Sequence, residues 1–199
     1  MKNIYDLTRE ELEKYLISIN EKKFRAIQIY DWLYVKRVKS VANMTNLSKN
    51  LIKHLEEDFS ISSIEIVKEE EDVDVSKYLF KLFDNNYVET VLMKHNYGIS
   101  LCVSSEVGCN MGCIFCESGR LKKVRNLNAF EIVLQILMIE EKIKKRISHI
   151  VVMGIGEPFD NYDNVMKFIY CLNEAKGLAI GARHITVSTC GIPDKIIKY

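Results

Sequence analysis

The sequence predicts an α/β protein in which a small helical N-terminal domain precedes an incomplete barrel of parallel strands. Three observations carry this. From Ile99 the pattern runs strand, loop, helix, strand, helix, strand, helix, the alternation that builds a parallel sheet wrapped by helices. Ile147–Met153 is a near-continuous apolar run, as expected of a strand buried on both faces. Residues 1–60 show only helical periodicity and helix caps. Three βα units do not close a barrel, and Tyr199 falls inside a helical pattern, so the chain reads as a fragment of a longer protein or a truncated product.

The elements follow in order. Thr8-Arg-Glu-Glu11 is a capping box, and Leu12, Tyr15, Leu16 and Ile19 lie on one helical face behind it. Phe24–Val35 is a second helix with Ala26, Ile29, Tyr30 and Leu33 inward, and Ser48 caps a third carrying Leu51, Ile52, Leu55 and Phe59. Residues 61–98 form a linker and β-hairpin. The acidic segment Glu65–Asp74 is a linker or exposed edge, and Lys77–Phe83 and Tyr87–Met93 are strands joined by the turn Asp84-Asn-Asn86. Alternation puts Glu89 on the face shared by Tyr87, Val91 and Met93, where the pattern alone reads it as a structural carboxylate on an edge strand. Residues 99–199 then hold the start of the barrel. Its parts are the strand Ile99–Ser104, a helix over Asn128–Lys145 capped by Asn128 with Glu131, the strand Ile147–Met153, a helix over Asp163–Glu174, the strand Ile185–Ser188 and a helix from Pro193.

Composition excludes several classes. An apolar content of 48% suits a core-forming protein, and no apolar run approaches the ~18 residues of a membrane span. The N-terminus has no apolar signal segment, which places the protein in the cytoplasm, where clustered cysteines mean metal or catalysis more often than disulfides. Net charge is only +1, yet eight basic residues between Lys22 and Lys53 face a single acid, Asp31. That excess fits either a solvated helical surface or a phosphate-binding one.

The chemistry centres on Cys109-Asn-Met-Gly-Cys113-Ile-Phe-Cys116. Three thiolates on one short loop can converge on a metal. A zinc site wants four ligands, whereas three cysteines can hold three irons of a cubane cluster and leave the fourth open. The loop follows one strand, Gly154-Ile-Gly-Glu-Pro158 follows the next, and Ser188–Gly191 follows the third. All three therefore gather at the carboxyl ends of the strands, where α/β active sites form.

The C-x3-C-x2-C spacing, with Phe115 before the last cysteine, resembles the cluster motif of the radical S-adenosylmethionine (SAM) enzymes, whose fold is a TIM-type barrel, here partial. Leu101-Cys-Val-Ser-Ser-Glu-Val-Gly-Cys109, Arg125-Asn-Leu127, Gly154–Pro158 and Ile185-Thr-Val-Ser-Thr-Cys-Gly191 narrow the resemblance to the RlmN/Cfr family of RNA adenine methyltransferases. The resemblance implies that Cys109, Cys113 and Cys116 hold a 4Fe-4S cluster whose open iron chelates SAM. It implies further that Gly156 and Glu157 meet the SAM ammonium, the carboxylate by a charge-assisted bond, and that Ser188 also contacts SAM. Cys102 matches a catalytic cysteine that helps release product from a covalent adduct, and Glu89 matches a proton acceptor, reversing its structural reading. The implied reaction is methylation of adenine C2 of 23S rRNA, and of tRNA, through a methyl-cysteine intermediate. The resemblance implies as well an electron donor such as flavodoxin or ferredoxin, a monomeric enzyme, and an N-terminal domain (residues 1–60) that helps hold RNA.

The family's methyl-carrying cysteine has no counterpart here. Cys171 and Cys190 read as structural thiols, and Glu117-Ser-Gly119 replaces the usual Ala-Thr-Gly after the last ligand. The basic run Arg120, Lys122, Lys123, Arg125 reads as a phosphate contact beside the site. Two alternatives stand: the same chemistry at adenine C8, as in the Cfr type, and a non-catalytic zinc- or cluster-bearing RNA-binding module.

Overall fold

A computed structural model describes residues 1–199. The N-terminal lobe begins with β1 (Lys2–Asn3) and α1 (Arg9–Ser18). Its capping box is closed in both directions: Thr8 Oγ1 accepts from Glu11 N at 3.2 Å, and Glu11 Oε2 accepts from Thr8 N at 2.8 Å. The predicted second helix is α2 (Arg25–Tyr30) continued as a π turn over Asp31–Val35, with the expected stripe Ala26, Ile29, Tyr30 and Leu33 fully buried. Ser48 caps α3 (Lys49–Asp58), after which β2 (Phe59–Ser60) pairs in parallel with β1.

The main sheet has six strands. In chain order they are β3 (Glu65–Glu71), β4 (Val75–Lys81), β5 (Tyr87–His95) and β6 (Gly98–Val103). After the short pair β7 (Glu106–Val107) and β8 (Arg125–Asn126) come β9 (His149–Val152) and β10 (Ile185–Val187). Their spatial order is β10-β9-β6-β5-β4-β3, antiparallel from β3 to β6 and parallel from β6 to β10. The acidic segment after Ile64 is thus a true edge strand rather than a linker. Its charges stay in water, and a row of them blunts an edge against pairing with other chains.

Helices α4 (Ala129–Ile143), α5 (Tyr162–Asn173) and α6 (Pro193–Lys198) complete the chain. Gln135 of α4 locks helix to sheet: its Oε1 accepts from Thr90 Oγ1 (2.7 Å) and Ser104 N (2.9 Å), and its Nε2 donates to Ser104 O (3.1 Å). Strand side chains on that side (Val88, Thr90, Leu92, Leu101, Val103, Ile150, Val152) are buried. Those on the opposite face (Glu89, Val91, Met93, Cys102, Val151) are only half-buried. β9 is therefore buried on one face and not two, because Val151 projects away from α4.

The lobe docks on the outer helices. Asp6 Oδ1 accepts from Phe130 N (3.1 Å) at the start of α4, and Lys167 and Glu174 of the α5 region pair with Glu11 and Arg9 at 2.7 and 2.8 Å. Tyr30 OH, 2.7 Å from Leu7 O, also reaches the buried Cys171 thiol (3.8 Å), so one apolar core runs through both halves. No helix is long and apolar enough to cross a membrane.

Candidate active site

β6 ends by feeding Ser104 and Ser105 into β7, and the cysteine loop is the excursion between β7 and β8. Its base is stitched by Glu106↔Asn126 and Val107↔Arg125 pairing, with Val124 N donating to Val107 O (2.8 Å) and Cys109 N to Leu121 O (2.9 Å). Gly108 has φ +73°, and a Cβ there would lie 2.2 Å from Lys122 O, so only glycine lets the two arms cross this closely. Cys116 N donates to Cys113 O (3.1 Å), which sets these two cysteines one turn apart. All six cysteines are free thiols; those at 109, 113 and 116 are half-buried, while Ile114 and Phe115 are fully exposed. The three sulfurs do not converge on a preformed metal cage. They are close enough to act on one another: burial pushes the Cys109 thiol up, and Glu106, Cys113 and Cys116 add to it.

The Gly154–Pro158 turn presses against the start of this loop. A Cβ on Gly154 would lie 2.7 Å from Ser104 Oγ. One on Gly156 (φ +108°) would lie 2.5–2.6 Å from the Glu106 side chain. These glycines thus serve a close approach of protein to protein. Ser104 Oγ accepts from Ile155 N (3.0 Å) and donates to Glu89 O (2.6 Å), joining the turn to β5.

Glu157 is buried, and its carboxylate is heavily engaged. Oε1 accepts from Phe159 N (2.9 Å) and Thr189 Oγ1 (2.6 Å), and Oε2 from Cys190 N (2.8 Å). Burial works against its ionisation, but these bonds hold the carboxyl below its ordinary value. They also tie the loop after β10 to the turn after β9. Ser188 is exposed immediately before Thr189, its N–H on Val152 O (3.3 Å).

Glu89 and Cys102 share the half-open face of the sheet. Cys102 lies opposite Val91 on β5 and Val151 on β9, which makes it a diagonal neighbour of Glu89, two residues along β5. β5 is an interior strand, so Glu89 is not an edge residue. It pairs with Lys77 at 3.4 Å, and burial pushes the Cys102 thiol up.

Half of the basic run is spent inside the protein. Lys123 Nζ meets Glu106 Oε1 at 2.5 Å and Asp160 Oδ2 at 2.6 Å. Arg125 clasps Glu131 bidentately at 2.8 Å, bonds Asp84 Oδ2 at 2.6 Å and covers the Phe83 ring. Arg120 pairs only with Glu117 (3.5 Å), and Lys122 has no carboxylate partner, so two of the four cations face outward. Glu106 and Thr189 carried no role in the sequence, while Lys123 read there as a phosphate contact and Cys190 as a structural thiol. A carboxylate between Ser105 and Val107, in a run headed for burial, was the signal for the first.

Residues 2–61 match the model of the ribosomal RNA large subunit methyltransferase (RlmN) N-terminal domain, and residues 103–199 match the radical SAM superfamily. A probable dual-specificity RNA methyltransferase RlmN of Enterococcus faecalis is 55% identical over 204 residues, covering 99% of this chain and 57% of the relative. A protein of the same name from Streptococcus sanguinis is also 55% identical, with 56% of its length covered. The crystal structure of a radical SAM methyltransferase from Sphaerobacter thermophilus superposes with a TM-score of 0.87 at 36% identity, over 100% of this chain and 60% of that one. The chain thus spans a little over half the length of the relatives it matches. From its lobe to its cysteine loop and Gly-Glu turn, the chain belongs to the RlmN family of the radical SAM superfamily.

Proposed function

We propose that the chain carries the cluster- and SAM-holding part of an RNA methyltransferase that acts on adenine C2 of 23S rRNA, and of tRNA. The observation that carries this reading is convergence. The cysteine loop, the Gly154–Pro158 turn and the Ser188–Gly191 loop meet at the carboxyl ends of three adjacent parallel strands, β6, β9 and β10.

The donor set fits the group. Three free thiols stand on one loop closed at its base, two of them one turn apart, with no fourth ligand on that loop. Cys109, Cys113 and Cys116 would hold the 4Fe-4S cluster, which when bound supplies the electron that cleaves SAM to a carbon radical. Glu157, kept ionised by its hydrogen bonds, would meet the SAM ammonium beside Gly156, with Ser188 exposed next to it. An ammonium arriving there would take over acceptor sites now used by Thr189 and Cys190. On the shared sheet face, Glu89 would accept a proton and Cys102 would help release product. Cys171 lies sealed beneath Tyr30, which leaves it no part in methyl transfer.

Residues 1–60 would help hold RNA. Lys22, Lys23 and Lys49 have no carboxylate partner, whereas Lys36, Arg37, Lys39 and Lys53 are paired with acids. Residues 61–98 would bridge to the barrel portion, residues 99–199. The reading brings with it a cytoplasmic, monomeric enzyme served by flavodoxin or ferredoxin. Anaerobic loading with iron and sulfide tests it. Iron and sulfide near four per chain, with a paramagnetic signal that changes on adding SAM, is the expected result. Stoichiometric zinc with no iron would overturn it in favour of a zinc module. Mass spectrometry of adenosine from treated RNA separates C2 from C8 products.

A further inference from the structure

We propose that Glu106, held by Lys123, is a positioning residue that locks the Gly156–Glu157 turn to both ends of the cysteine loop. The proposal deepens the reading above and depends on it for its bearing on SAM. Glu106 lies on β7 three residues before Cys109, with no exposure to solvent. Its Oε2 accepts from Glu157 N at 2.9 Å, and its Oε1 meets Lys123 Nζ at 2.5 Å. Lys123 stands on the returning arm of the loop, where its own N–H bonds Asn110 Oδ1 (3.2 Å). Its ammonium also reaches Asp160 (2.6 Å), and Asp160 N donates to Glu157 O (3.1 Å). One carboxylate thereby joins the loop's entry, its exit and the Gly-Glu turn.

The packing is as tight as the hydrogen bonding. The Cβ and Cγ of Glu106 occupy the space in which a side chain at residue 156 would stand, so the turn rests directly on this residue. The Glu157 carboxylate is aimed at Thr189 and Cys190 by its own backbone, and that backbone is fixed through its N–H to Glu106. Glu106 thus acts on the Glu157 carboxylate through the Glu157 backbone. Its charge is tolerable only because Lys123 is there, since a buried carboxylate stripped of its cation is strongly destabilising.

The test uses E106A, E106Q, K123M and the double variant E106Q/K123M in this chain. In the metal-free state, amide exchange of Glu157 is compared with that of Ile150 and Val152 in β9. The Glu157 amide should exchange at least about tenfold faster in E106A and K123M, the size expected when a bond worth about 1.4 kcal/mol is lost. It should stay protected in E106Q, whose amide oxygen still accepts, and recover in the double variant, which buries no lone charge. A Glu157 amide as protected in E106A as in the parent overturns the proposal, as does a K123M defect that the double variant fails to repair. Iron- and sulfide-loaded E106A should keep the parent's iron content and lose the SAM-induced spectral change. An unchanged SAM response also overturns it. If the parent itself takes up no iron, the radical SAM reading fails while the exchange data still decide the role of Glu106.

Discussion

Cys190 offers a direct measurement of the electrostatics at the strand ends. Its thiol is exposed, yet the hydrogen bond to Glu157, with some burial and the carboxylate's charge, pushes it up to about 11 from an ordinary 9.0. At pH 8 that leaves about one thiolate in a thousand, against about one in ten for an unperturbed thiol. E157Q removes the charge and keeps the size of the side chain. If the shift collapses, the thiolate population rises about a hundredfold. Intrinsic nucleophilicity falls as the pKa falls, with a slope of about 0.4–0.5, and takes back roughly eightfold. The rate of Cys190 with an aromatic disulfide reagent at pH 8, followed by peptide mass spectrometry, should therefore rise by about an order of magnitude. T189A provides the control: it removes the 2.6 Å bond to Oε1, loosening the loop, but leaves the charge in place. An unchanged rate in E157Q would refute the reasoning. So would an equal acceleration in T189A, because loosening and not charge would then control the thiol.

Three further outcomes are expected. E131A strips the bidentate partner from Arg125 and the cap from Asn128 N; breaking such a pair at a wholly buried carboxylate should cost about 3–5 kcal/mol. At roughly 2–4 °C per kcal/mol this lowers the thermal midpoint by about 6–20 °C, read by circular dichroism. G156A should be more damaging than G112A: both have positive φ, but a Cβ at 156 strikes Glu106 whereas one at 112 meets nothing within 4 Å. Urea titration of the two variants checks the order, and equal midpoints would count against it. Finally, Glu157 is held below its ordinary 4.5, so its contribution is complete above pH 4.5 and is lost as pH falls through its lower folded value. Exchange at the Cys190 amide should accelerate in that acid window in the parent and show no such step in E157Q.

Features written in local spacing were legible in the sequence. The capping boxes at Thr8 and Asn128 need only residues three apart. The alternation along β5 put Glu89 opposite the helix-facing side, and the cysteine spacing needs only eight residues. The illegible features all depend on a partner distant along the chain. The acidic strand β3 carries no apolar face of its own, and its pairing with β4 makes it a strand. Lys123 and Arg125 looked like free cations because Glu106, Asp160 and Asp84 lie 17, 37 and 41 positions away. The glycines of the Gly-Glu turn looked like room for a ligand because the surface they touch is Ser104–Glu106, some fifty residues upstream.

The groups that would hold cofactor, namely Cys109, Cys113, Cys116, Glu157 and Ser188, sit on three separate loops, and loops alone would leave them poorly fixed. Their mutual placement is carried by side chains that face inward: Ser104 between β5 and the turn, Glu106 and Lys123 across the loop base, and Glu157 itself between two strand ends. The bonds from Ile155 N to Ser104, Glu157 N to Glu106 and Cys190 N to Glu157 each join the segment following one strand to the segment following another. Neighbouring strands thereby impose their register on the loops, and the convergence at their carboxyl ends becomes a geometry rather than a neighbourhood.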